Sequence, residues 1–314
     1  MKPLIIAECC QNHNGDLEIL KRQIHKAAES GADYVKIQAI RSSELTMRSR
    51  FENENLDEKG RLINIKRPYK EEYDRLKKLD LSLEEESWFT DECKRAGISS
   101  MITVFTFNSL IEVKELDFQA VKVASYDCAS FSLLKEIVKY WDNIFISTGA
   151  TFNEEIEQAS NILKDKNYHF LHCTTIYPTP LNKLNLIKME YLKNFTENVG
   201  YSDHTKVDDD GLIASKIALA LGASSIERHF TVLERNQSKD GPVSINPDEL
   251  TELVNFAKLK KEEKQEIVKK EYPRWKETLG YINSKLSHEE LLNRDYYRGR
   301  FASRIKGKYK FNWE

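Results

Sequence analysis

The feature of this sequence that most restricts its fold is the regular alternation of short apolar runs with amphipathic stretches. Each run has the length of a buried strand, and the stretches between them show helical spacing of apolar residues. The last five runs begin about 25 residues apart, the length of one strand, one helix and two short loops. The pattern predicts an α/β fold of the (β/α)8 TIM-barrel type, with an open doubly wound sheet as the alternative. The eight runs cover residues 4–8, 33–38, 98–104, 120–125, 143–147, 168–173, 198–202 and 224–229.

The amphipathic stretches predict helices, and glycines mark where several of them end. Gly31, Gly97 and Gly222 each lie where a helical pattern stops, which favours a left-handed C-cap at each position. No GxGxxG motif or P-loop follows any apolar run, and this disfavours a nucleotide-binding doubly wound sheet. The predicted helices span residues 17–30, 83–96, 133–140, 154–164, 211–221 and 249–270.

Composition excludes several classes of protein. The chain has 314 residues with 48 Lys and Arg against 50 Asp and Glu, a formal net charge of −2. Without a basic excess, nucleic-acid binding is disfavoured. The N-terminal apolar run is too short for a signal peptide or a membrane span. The five cysteines are odd in number and lack CxxC spacing, so we expect neither disulfides nor structural zinc, and a location in the reducing cytoplasm.

Two segments interrupt the barrel rhythm. We predict a barrel domain over residues 1–282 and a short basic and aromatic tail over residues 283–314. Residues 41–81 form a connection that is too long and too charged for a simple loop, so we interpret them as a surface insertion or a lid over the barrel mouth. The tail is expected to have no role in the barrel itself.

Two lysines lie inside apolar strand patterns. Lys36 and Lys122 would be buried there, and a buried ammonium group is costly unless an anion compensates it. Catalytic groups of TIM barrels lie at the carboxyl ends of the strands, where several hydroxyl groups would join these lysines. We therefore predict a pocket for phosphate or carboxylate groups, with pairing of each lysine to an acid such as Glu227 as the alternative. The hydroxyl groups belong to Ser125, Ser147, Thr148 and Ser202.

Two histidines end neighbouring predicted strands. His204 and His229 could bind one divalent metal ion, with Glu8 and Asp203 in reach. Two imidazoles with a carboxylate and water suit manganese, iron or cobalt better than structural zinc. The alternative is that both are ordinary core histidines. Cys173 could add a thiolate, although a free strand cysteine is most often a small buried hydrophobic residue.

Several blocks resemble the N-acetylneuraminate (sialic acid) synthase family. They come in the family's order over about the first 280 residues, and the HCT…YPTP and GYSDHT blocks are highly specific together. The matching blocks are IAE at 6–8, NHNGD at 12–16, GAD and KIQ within 31–38, KKLDLS at 77–82, STG at 147–149, LHCT and YPTP within 171–180, GYSDHT at 200–205, LGA at 221–223 and IERHFT at 226–231.

The resemblance implies condensation of phosphoenolpyruvate with an open-chain N-acylated aldose, typically N-acetylmannosamine, to give a nonulosonic acid and phosphate. It implies that His204 and His229 hold a divalent metal, commonly Mn²⁺, with Mg²⁺ or Co²⁺ as alternatives, which polarises the aldehyde oxygen. The groups it implies for phosphoenolpyruvate are Lys36, Lys122, Ser125, Ser147, Thr175 and Ser202.

The resemblance also assigns proton transfer and acceptor binding. Glu8 and Asp127 would handle the protons of the water that adds to C2, which needs one ionised and one protonated acid. Gln38, Tyr177 and Asp240 match positions that contact the sugar.

Three positions depart from the family pattern. Asp127 stands where glutamate is frequent, and Thr175 stands where asparagine occurs. Asp240 lies in Lys-Asp-Gly-Pro-Val instead of a Gly-Pro-Asp pattern, although an ungapped count from His229 keeps it in register.

The C-terminus departs most. Family members normally continue into an antifreeze-like domain that brings an arginine into the partner subunit's active site, and this sequence ends at Glu314 within what resembles that domain's entry. We expect a different acceptor recognition, a substitute among Arg298, Arg300 and Arg304, or a separate chain that supplies the missing part. Each of these arginines taken singly is expected to be solvated.

Three functions are consistent with the sequence. The first is the nonulosonic acid synthase, expected as a homodimer by resemblance alone. The second is a phosphoenolpyruvate-dependent synthase with a different aldehyde acceptor. The third is a non-catalytic barrel that binds sugar or phosphoenolpyruvate, which the joint presence of Lys36, Lys122, His204 and His229 disfavours.

Overall fold

Eight parallel strands close into a barrel in the computed structural model, which describes residues 2–314. The order around the barrel is β1, β10, β9, β8, β7, β6, β5 and β2, so the predicted TIM-barrel fold is confirmed. The barrel strands are β1 (Leu4–Glu8), β2 (Tyr34–Gln38), β5 (Ser99–Val104), β6 (Ala120–Val123), β7 (Asn143–Ser147), β8 (Asn167–His172), β9 (Val199–Asp203) and β10 (Ser225–His229), and two hairpins outside it are β3 (Asn55–Leu56) with β4 (Leu62–Asn64) and β11 (Ser303–Ile305) with β12 (Lys308–Lys310).

Helices surround the barrel, and several of them begin at a residue whose side chain caps them. Ser82 and Glu85 form a reciprocal capping box at the start of α3, and Gly97 ends that helix at φ 72°, a conformation that glycine adopts without steric cost. The helices are α1 (Leu17–Glu29), α2 (Tyr69–Lys77), α3 (Leu83–Ala96), α4 (Phe107–Val113), α5 (Phe131–Ile137), α6 (Asn153–Leu163), α7 (Lys188–Leu192), α8 (Val207–Asp210), α9 (Ile213–Ala220), α10 (Pro247–Lys258), α11 (Lys261–Glu271) and α12 (His288–Tyr297).

The single helix predicted over residues 249–270 is wrong. Leu259 is extended, with ψ at 158°, and the chain turns there between α10 and α11. The Lys260 N–H donates to the Glu263 carboxylate at 2.8 Å, which satisfies a free donor at the start of the second helix. The turn lets α10 and α11 both pack against α9, which one straight helix of that length could not do.

Strand register places an ion pair on the outer side of the barrel wall. Arg228 in β10 lies opposite Asp203 in β9, and their side chains are 2.5 Å apart with no exposure to solvent. Thr205 and Ser215 also donate to the Asp203 carboxylate. Because side chains alternate along a strand, Ser202 and Glu227 then face the opposite side, which is the lumen.

The connection between β2 and α3 and the C-terminal residues pack together. Thr46 N–H donates to the Arg300 carbonyl at 2.9 Å, and Arg48 donates to the Tyr296 carbonyl at 2.5 Å. Asn312 donates to the Phe105 carbonyl at 2.7 Å. The expectation of a tail without any role in the barrel is therefore wrong, because the side chain of Asn312 satisfies a carbonyl group of a barrel loop and tail carbonyls accept hydrogen bonds from the insertion. Among residues 2–314 no helix combines the length and apolar character needed to cross a membrane.

Candidate active site

A layer of polar side chains lies directly above an apolar floor in the barrel lumen. Successive side chains of a strand point to opposite faces, so the residue two positions after each floor residue also faces the lumen, one layer nearer the mouth. This register explains why the strand-end residues meet although they are far apart in sequence. The pairs, with the floor residue first, are Ile6 and Glu8, Tyr34 and Lys36, Met101 and Thr103, Ala120 and Lys122, Phe145 and Ser147, and Leu171 and Cys173.

Lys36 lies among acids in this layer. Its side chain is 2% exposed, contacts the Glu8 carboxylate and lies 3.6 Å from the Glu227 carboxylate. It also donates to Thr103 Oγ1 at 2.9 Å. Burial lowers the pKa of Lys36 to about 8, with the Glu227 charge opposing that shift and the Lys122 charge adding to it. The ion pairing considered as an alternative is therefore present at Lys36.

Lys122 is held by oxygens that carry no charge. It donates to Ser147 Oγ at 2.7 Å and to the Val123 carbonyl at 3.0 Å. Across the lumen, Ser202 Oγ donates to the Glu227 carboxylate at 2.8 Å. Burial by itself would raise the pKa of Glu227, but the two lysines and Ser202 together lower it to about 2. Glu227 is thus held as a carboxylate.

Hydrogen bonding, more than net charge, points to a ligand here. Lys36 and Lys122 face Glu8 and Glu227, so the cationic excess inferred from the sequence is balanced within the layer. Among the buried oxygens of the proposed site residues, Thr175 Oγ1 and Glu227 Oε2 nevertheless have no hydrogen-bond partner within residues 2–314, although Lys36 lies 3.6 Å from the latter. Buried polar atoms are seldom left unpaired, and a bound donor or acceptor would satisfy them.

A cavity of about 690 Å³ lies between the loops after β7 and β8 and residues 280–291. Of the lumen layer named above, only Cys173 is in its wall, so neither the two lysines of the layer nor the two histidines at the strand ends line it. Gly149 lies in its wall, where an added Cβ would come within 2.7 Å of Thr175 Cγ2 and Cys173 Sγ, so only glycine allows this close approach. Ser125 Oγ lies 3.1 Å from the same sulfur. The cavity has room for a sugar-sized ligand. Its other walls include Thr148, Phe152, Lys183, Lys188, Tyr281 and Leu286.

The two histidines lie next to each other at the mouth. His204 follows β9 and His229 ends β10, with ring centroids 5.5 Å apart. Both are buried, and neither Nδ1 has a hydrogen-bond partner among residues 2–314. Burial lowers the pKa of both imidazoles, and His229 lowers that of His204 further. Two neutral imidazoles with unpaired nitrogens suit a metal ion.

The other metal ligands expected from the sequence are engaged by other groups. Asp203 is occupied by Arg228, and the Cys173 sulfur contacts Ser125. Glu8 is engaged by Lys36 and by a backbone N–H.

Cys10 and Asp240 lie next to His229, where the sequence predicts those ligands. Ligand atoms of Cys10, His229 and Asp240 all lie within 4.8 Å of one another. The sequence reasoning missed Cys10, although its place in the loop that begins after β1 was a signal. The three atoms form a donor set for a metal.

The three residues expected to contact an acceptor lie nearer to solvent. Gln38 is two residues beyond Lys36 on β2 and only partly buried. Tyr177 is 49% exposed, and its ring centroid lies 4.3 Å from that of His204. Asp240 accepts from Cys10 Sγ at 3.1 Å. Tyr177 and Asp240 therefore flank the histidine pair.

Asp127 is held from outside the lumen layer. Its carboxylate accepts hydrogen bonds from Ser130 Oγ and Asn312 Nδ2, both at 2.8 Å. Burial raises its pKa to about 6, although both hydrogen bonds oppose the shift. Neither Ser130 nor Asn312 belongs to the polar layer of the lumen or to the histidine pair. The structure therefore does not join Asp127 to Glu8 by hydrogen bonds. Asn312 was not anticipated, because nothing in the sequence brings residue 312 to residue 127.

Replacing Asp127 by asparagine should alter how stability depends on pH. Because the folded-state pKa of about 6 exceeds the ordinary 3.8, the contribution is fully present below pH 3.8 and is lost as pH rises through about 6. The stability of the wild type relative to Asp127→Asn should fall by roughly 2–3 kcal/mol between about pH 4 and pH 7. Urea unfolding at several pH values measures this. Asp142→Asn, with 88% of the side chain exposed, is the control, and a difference independent of pH would contradict the prediction.

Residues after α12 reach the barrel mouth. Arg300 is 9% exposed and contacts Glu72, which also accepts from Arg75 at 3.0 Å. Arg75 in turn donates to Gln11, in the loop after β1. The expectation of a solvated side chain is therefore wrong for Arg300, because the insertion supplies its carboxylate partner. The ring of Tyr297 stacks on that of Tyr126, with the two ring centroids 4.8 Å apart.

Comparison with known proteins agrees with this architecture. A family model described as the NeuB family matches residues 23–269. The N,N'-diacetyllegionaminic acid synthase of Campylobacter jejuni is 36% identical over 260 residues, which cover 80% of this chain and 74% of that protein. The human N-acetylneuraminate-9-phosphate synthase is 33% identical over 81% of this chain and 69% of its own length. A crystal structure of N-acetylneuraminic acid synthetase from Leptospira borgpetersenii superposes with a TM-score of 0.71 at 28% identity, covering 94% of this chain and 91% of that one.

The fold, the strand-end layer and the named relatives together define a class: the chain is a TIM-barrel synthase, a carbon–carbon bond-forming transferase. More narrowly, it belongs to the NeuB family. The resemblance inferred from the sequence blocks is thereby confirmed.

Proposed function

We propose that this enzyme condenses phosphoenolpyruvate with an open-chain N-acylated aldose similar to N-acetylmannosamine, producing a nonulosonic acid and phosphate. The observation that carries the proposal is the lumen layer, where two buried lysines stand among hydroxyl groups. The buried hydroxyl of Thr175, two residues after Cys173, has no hydrogen-bond partner among the described residues. Relatives named as legionaminic, pseudaminic and N-acetylneuraminate-9-phosphate synthases support the product class.

Lys36 and Lys122 would bind the carboxylate and phosphate groups of phosphoenolpyruvate. A trianionic ligand would join two carboxylates already in the layer, so hydroxyl donors are needed as well as the ammonium groups. Lys122 donates hydrogen bonds only to two uncharged oxygens, which leaves one of its three N–H donors for the ligand. The hydroxyl groups proposed to complete the pocket are those of Ser125, Ser147, Thr175 and Ser202.

The bond changes are balanced by proton transfers at this chain's acids. C3 of phosphoenolpyruvate attacks the aldehyde carbon, the aldehyde oxygen gains a proton, and water adds to the cationic C2 with loss of a proton. The C2–O bond to phosphate then breaks. Glu8 is proposed as the ionised acid because Lys36 contacts it, and Asp127 as the partly protonated one because burial raises its pKa to about 6.

His204 and His229 would hold the divalent metal, for which Mn²⁺ is proposed with Mg²⁺ or Co²⁺ as alternatives. Their buried, unpaired Nδ1 atoms fit this role. When bound, the metal would supply Lewis-acid polarisation of the acceptor's carbonyl oxygen. Gln38, Tyr177 and Asp240 would orient the acceptor over the lysine layer.

The test measures phosphate release from phosphoenolpyruvate with a panel of N-acylated hexosamines, other hexoses and pentoses, followed by mass spectrometry of the product. Metal-free protein should be inactive and recover on addition of Mn²⁺. A product mass equal to that of phosphoenolpyruvate, acceptor and water less phosphoric acid supports condensation. Turnover only with unrelated aldehydes would instead establish a phosphoenolpyruvate-dependent synthase with a different acceptor. Binding of phosphoenolpyruvate without turnover of any aldose would overturn synthase activity.

His229→Ala tests the metal proposal separately. Loss of one imidazole should weaken Mn²⁺ binding at least tenfold, in line with the roughly 10–100-fold effects of altering metal-site residues. Isothermal titration of metal-free protein gives the affinity. His288→Ala, on an exposed histidine that contacts the Leu62 carbonyl, is the matched control. Unchanged affinity and activity in His229→Ala would refute the assignment.

A cytoplasmic homodimer is proposed on the family resemblance. All five cysteines are unpaired and buried, which is consistent with a reducing compartment. Sedimentation velocity would test the dimer.

A further inference from the structure

Cys10 occupies an unusual backbone position at the barrel mouth. It is the second residue after β1 and has φ at 41°, in the left-handed region where a residue with a Cβ is strained. Its N–H donates to the Glu8 carboxylate at 2.6 Å, and this hydrogen bond holds the turn. The side chain is 5% exposed. The loop therefore keeps a cysteine where glycine would be easier to accommodate.

The Cys10 sulfur faces polar partners. It lies 3.1 Å from an Asp240 carboxylate oxygen, and a ligand atom of His229 lies within 4.8 Å of both. A buried cysteine that serves only as a small hydrophobic residue packs against apolar groups, as Cys93 does in the core. The His229 imidazole is 8% exposed and its Nδ1 has no partner in the part of the chain described.

The spacing of these atoms fits metal coordination. Ligand bonds of about 2.0–2.3 Å in a tetrahedral arrangement place neighbouring ligand atoms about 3.3–3.8 Å apart. The observed separations, from 3.1 Å to no more than 4.8 Å, bracket that range, so small side-chain movements suffice. His204 stands beside the set, with its ring centroid 5.5 Å from that of His229.

We propose that Cys10 is a thiolate ligand of the metal, together with His229, His204 and one oxygen of Asp240. The proposal deepens the metal site of the proposed function and rests on it. On binding, the thiol proton is released to solvent as the sulfur–metal bond forms, and no electron is transferred. The other Asp240 oxygen remains available to an acceptor hydroxyl.

A thiolate changes which metal this site prefers. Sulfur ligands favour Zn²⁺, Co²⁺ and Fe²⁺, whereas Mn²⁺ and Mg²⁺ favour oxygen ligands. The site therefore favours zinc, cobalt or ferrous iron over manganese, in contrast to the Mn²⁺ expected from the family resemblance.

The decisive measurement is the absorption spectrum of the metal-free full-length protein titrated with Co²⁺. The wild type should develop a near-ultraviolet sulfur-to-cobalt charge-transfer band that saturates at one ion per chain. Cys10→Ser should bind Co²⁺ without that band, and its Zn²⁺ affinity should fall at least tenfold, on the scale of roughly 10–100-fold known for metal-site changes. The Mn²⁺ affinity of Cys10→Ser should change less, so the ratio of its Zn²⁺ affinity to its Mn²⁺ affinity should be lower than in the wild type.

Two further variants keep the result interpretable. Cys10→Gly removes the sulfur and also the strain at φ 41°, so loss of the band in a stably folded Cys10→Gly excludes misfolding as the cause. Cys93→Ala removes a buried thiol far from the donor set and should retain the band. Co²⁺ bound without the band, and lost in His229→Ala, would overturn the role of Cys10 alone. Absence of Co²⁺ binding to the wild type would overturn the proposed metal site as a whole.

Discussion

Lys36→Met is expected to reduce kcat/KM for phosphoenolpyruvate on the order of 10³-fold. The substitution removes the ammonium group that contacts Glu8 and lies 3.6 Å from Glu227, so two buried carboxylates lose their nearest cation. A trianionic substrate would then meet two carboxylates with only Lys122 left in the layer to offset them. Steady-state phosphate release over a range of phosphoenolpyruvate concentrations measures the effect.

The loss of activity at Lys36 must be separated from loss of folding. Removing one partner of a buried ion pair costs about 3–5 kcal/mol, so urea unfolding has to accompany the kinetics, and activity is measured where the variant is still folded. Lys70→Met is the matched control, since its ammonium group pairs with Asp74 but is 79% exposed. Activity of folded Lys36→Met within tenfold of the wild type would contradict the anion-pocket proposal.

Arg228→Met should destabilise the enzyme by about 3–5 kcal/mol. The guanidinium group and the Asp203 carboxylate are both fully buried and 2.5 Å apart. Without Arg228 the carboxylate keeps hydrogen bonds from Thr205 and Ser215, but no cation compensates its charge. The midpoint of urea unfolding should fall accordingly.

A double variant identifies the cause of that destabilisation. Asp203→Leu combined with Arg228→Met removes both charges and should recover part of the lost stability, because a well-packed apolar pair can replace a buried ion pair. Arg61→Met is the control: its pair with Asp57 is 69% exposed at the arginine, and such pairs contribute at most about 1 kcal/mol. A loss below that value in Arg228→Met would contradict the prediction.

The barrel itself was predictable because its signals are local. Each strand is a short apolar run of fixed periodicity, and β1 and β7 have the predicted bounds, residues 4–8 and 143–147. Gly31, Gly97 and Gly222 have positive φ as expected of C-caps. The helix predicted over residues 249–270 failed because the turn at Leu259 contains neither glycine nor proline, and packing against α9 decides it.

The site lysines and histidines were predictable for the same reason, because a polar residue within or at the end of an apolar strand pattern can be recognised from the sequence alone. Arg228 shows the limit of that signal. It stands between Glu227 and His229, and alternation along a strand predicts that it faces away from them. Only the pairing of β10 with β9 shows that its partner is Asp203. The partners of Lys36 likewise depend on strand register.

The sequence by itself determined the barrel, the family resemblance and the residue types at the strand ends, because these depend on local periodicity and on motif identity. Only the tertiary structure decided which of those residues meet. It brought Cys10 to Asp240, Asn312 to Asp127 and Arg300 to Glu72. Contacts between residues about 180 to 230 positions apart leave no periodic signal in the chain, since closure of the barrel and the packing of its loops set them.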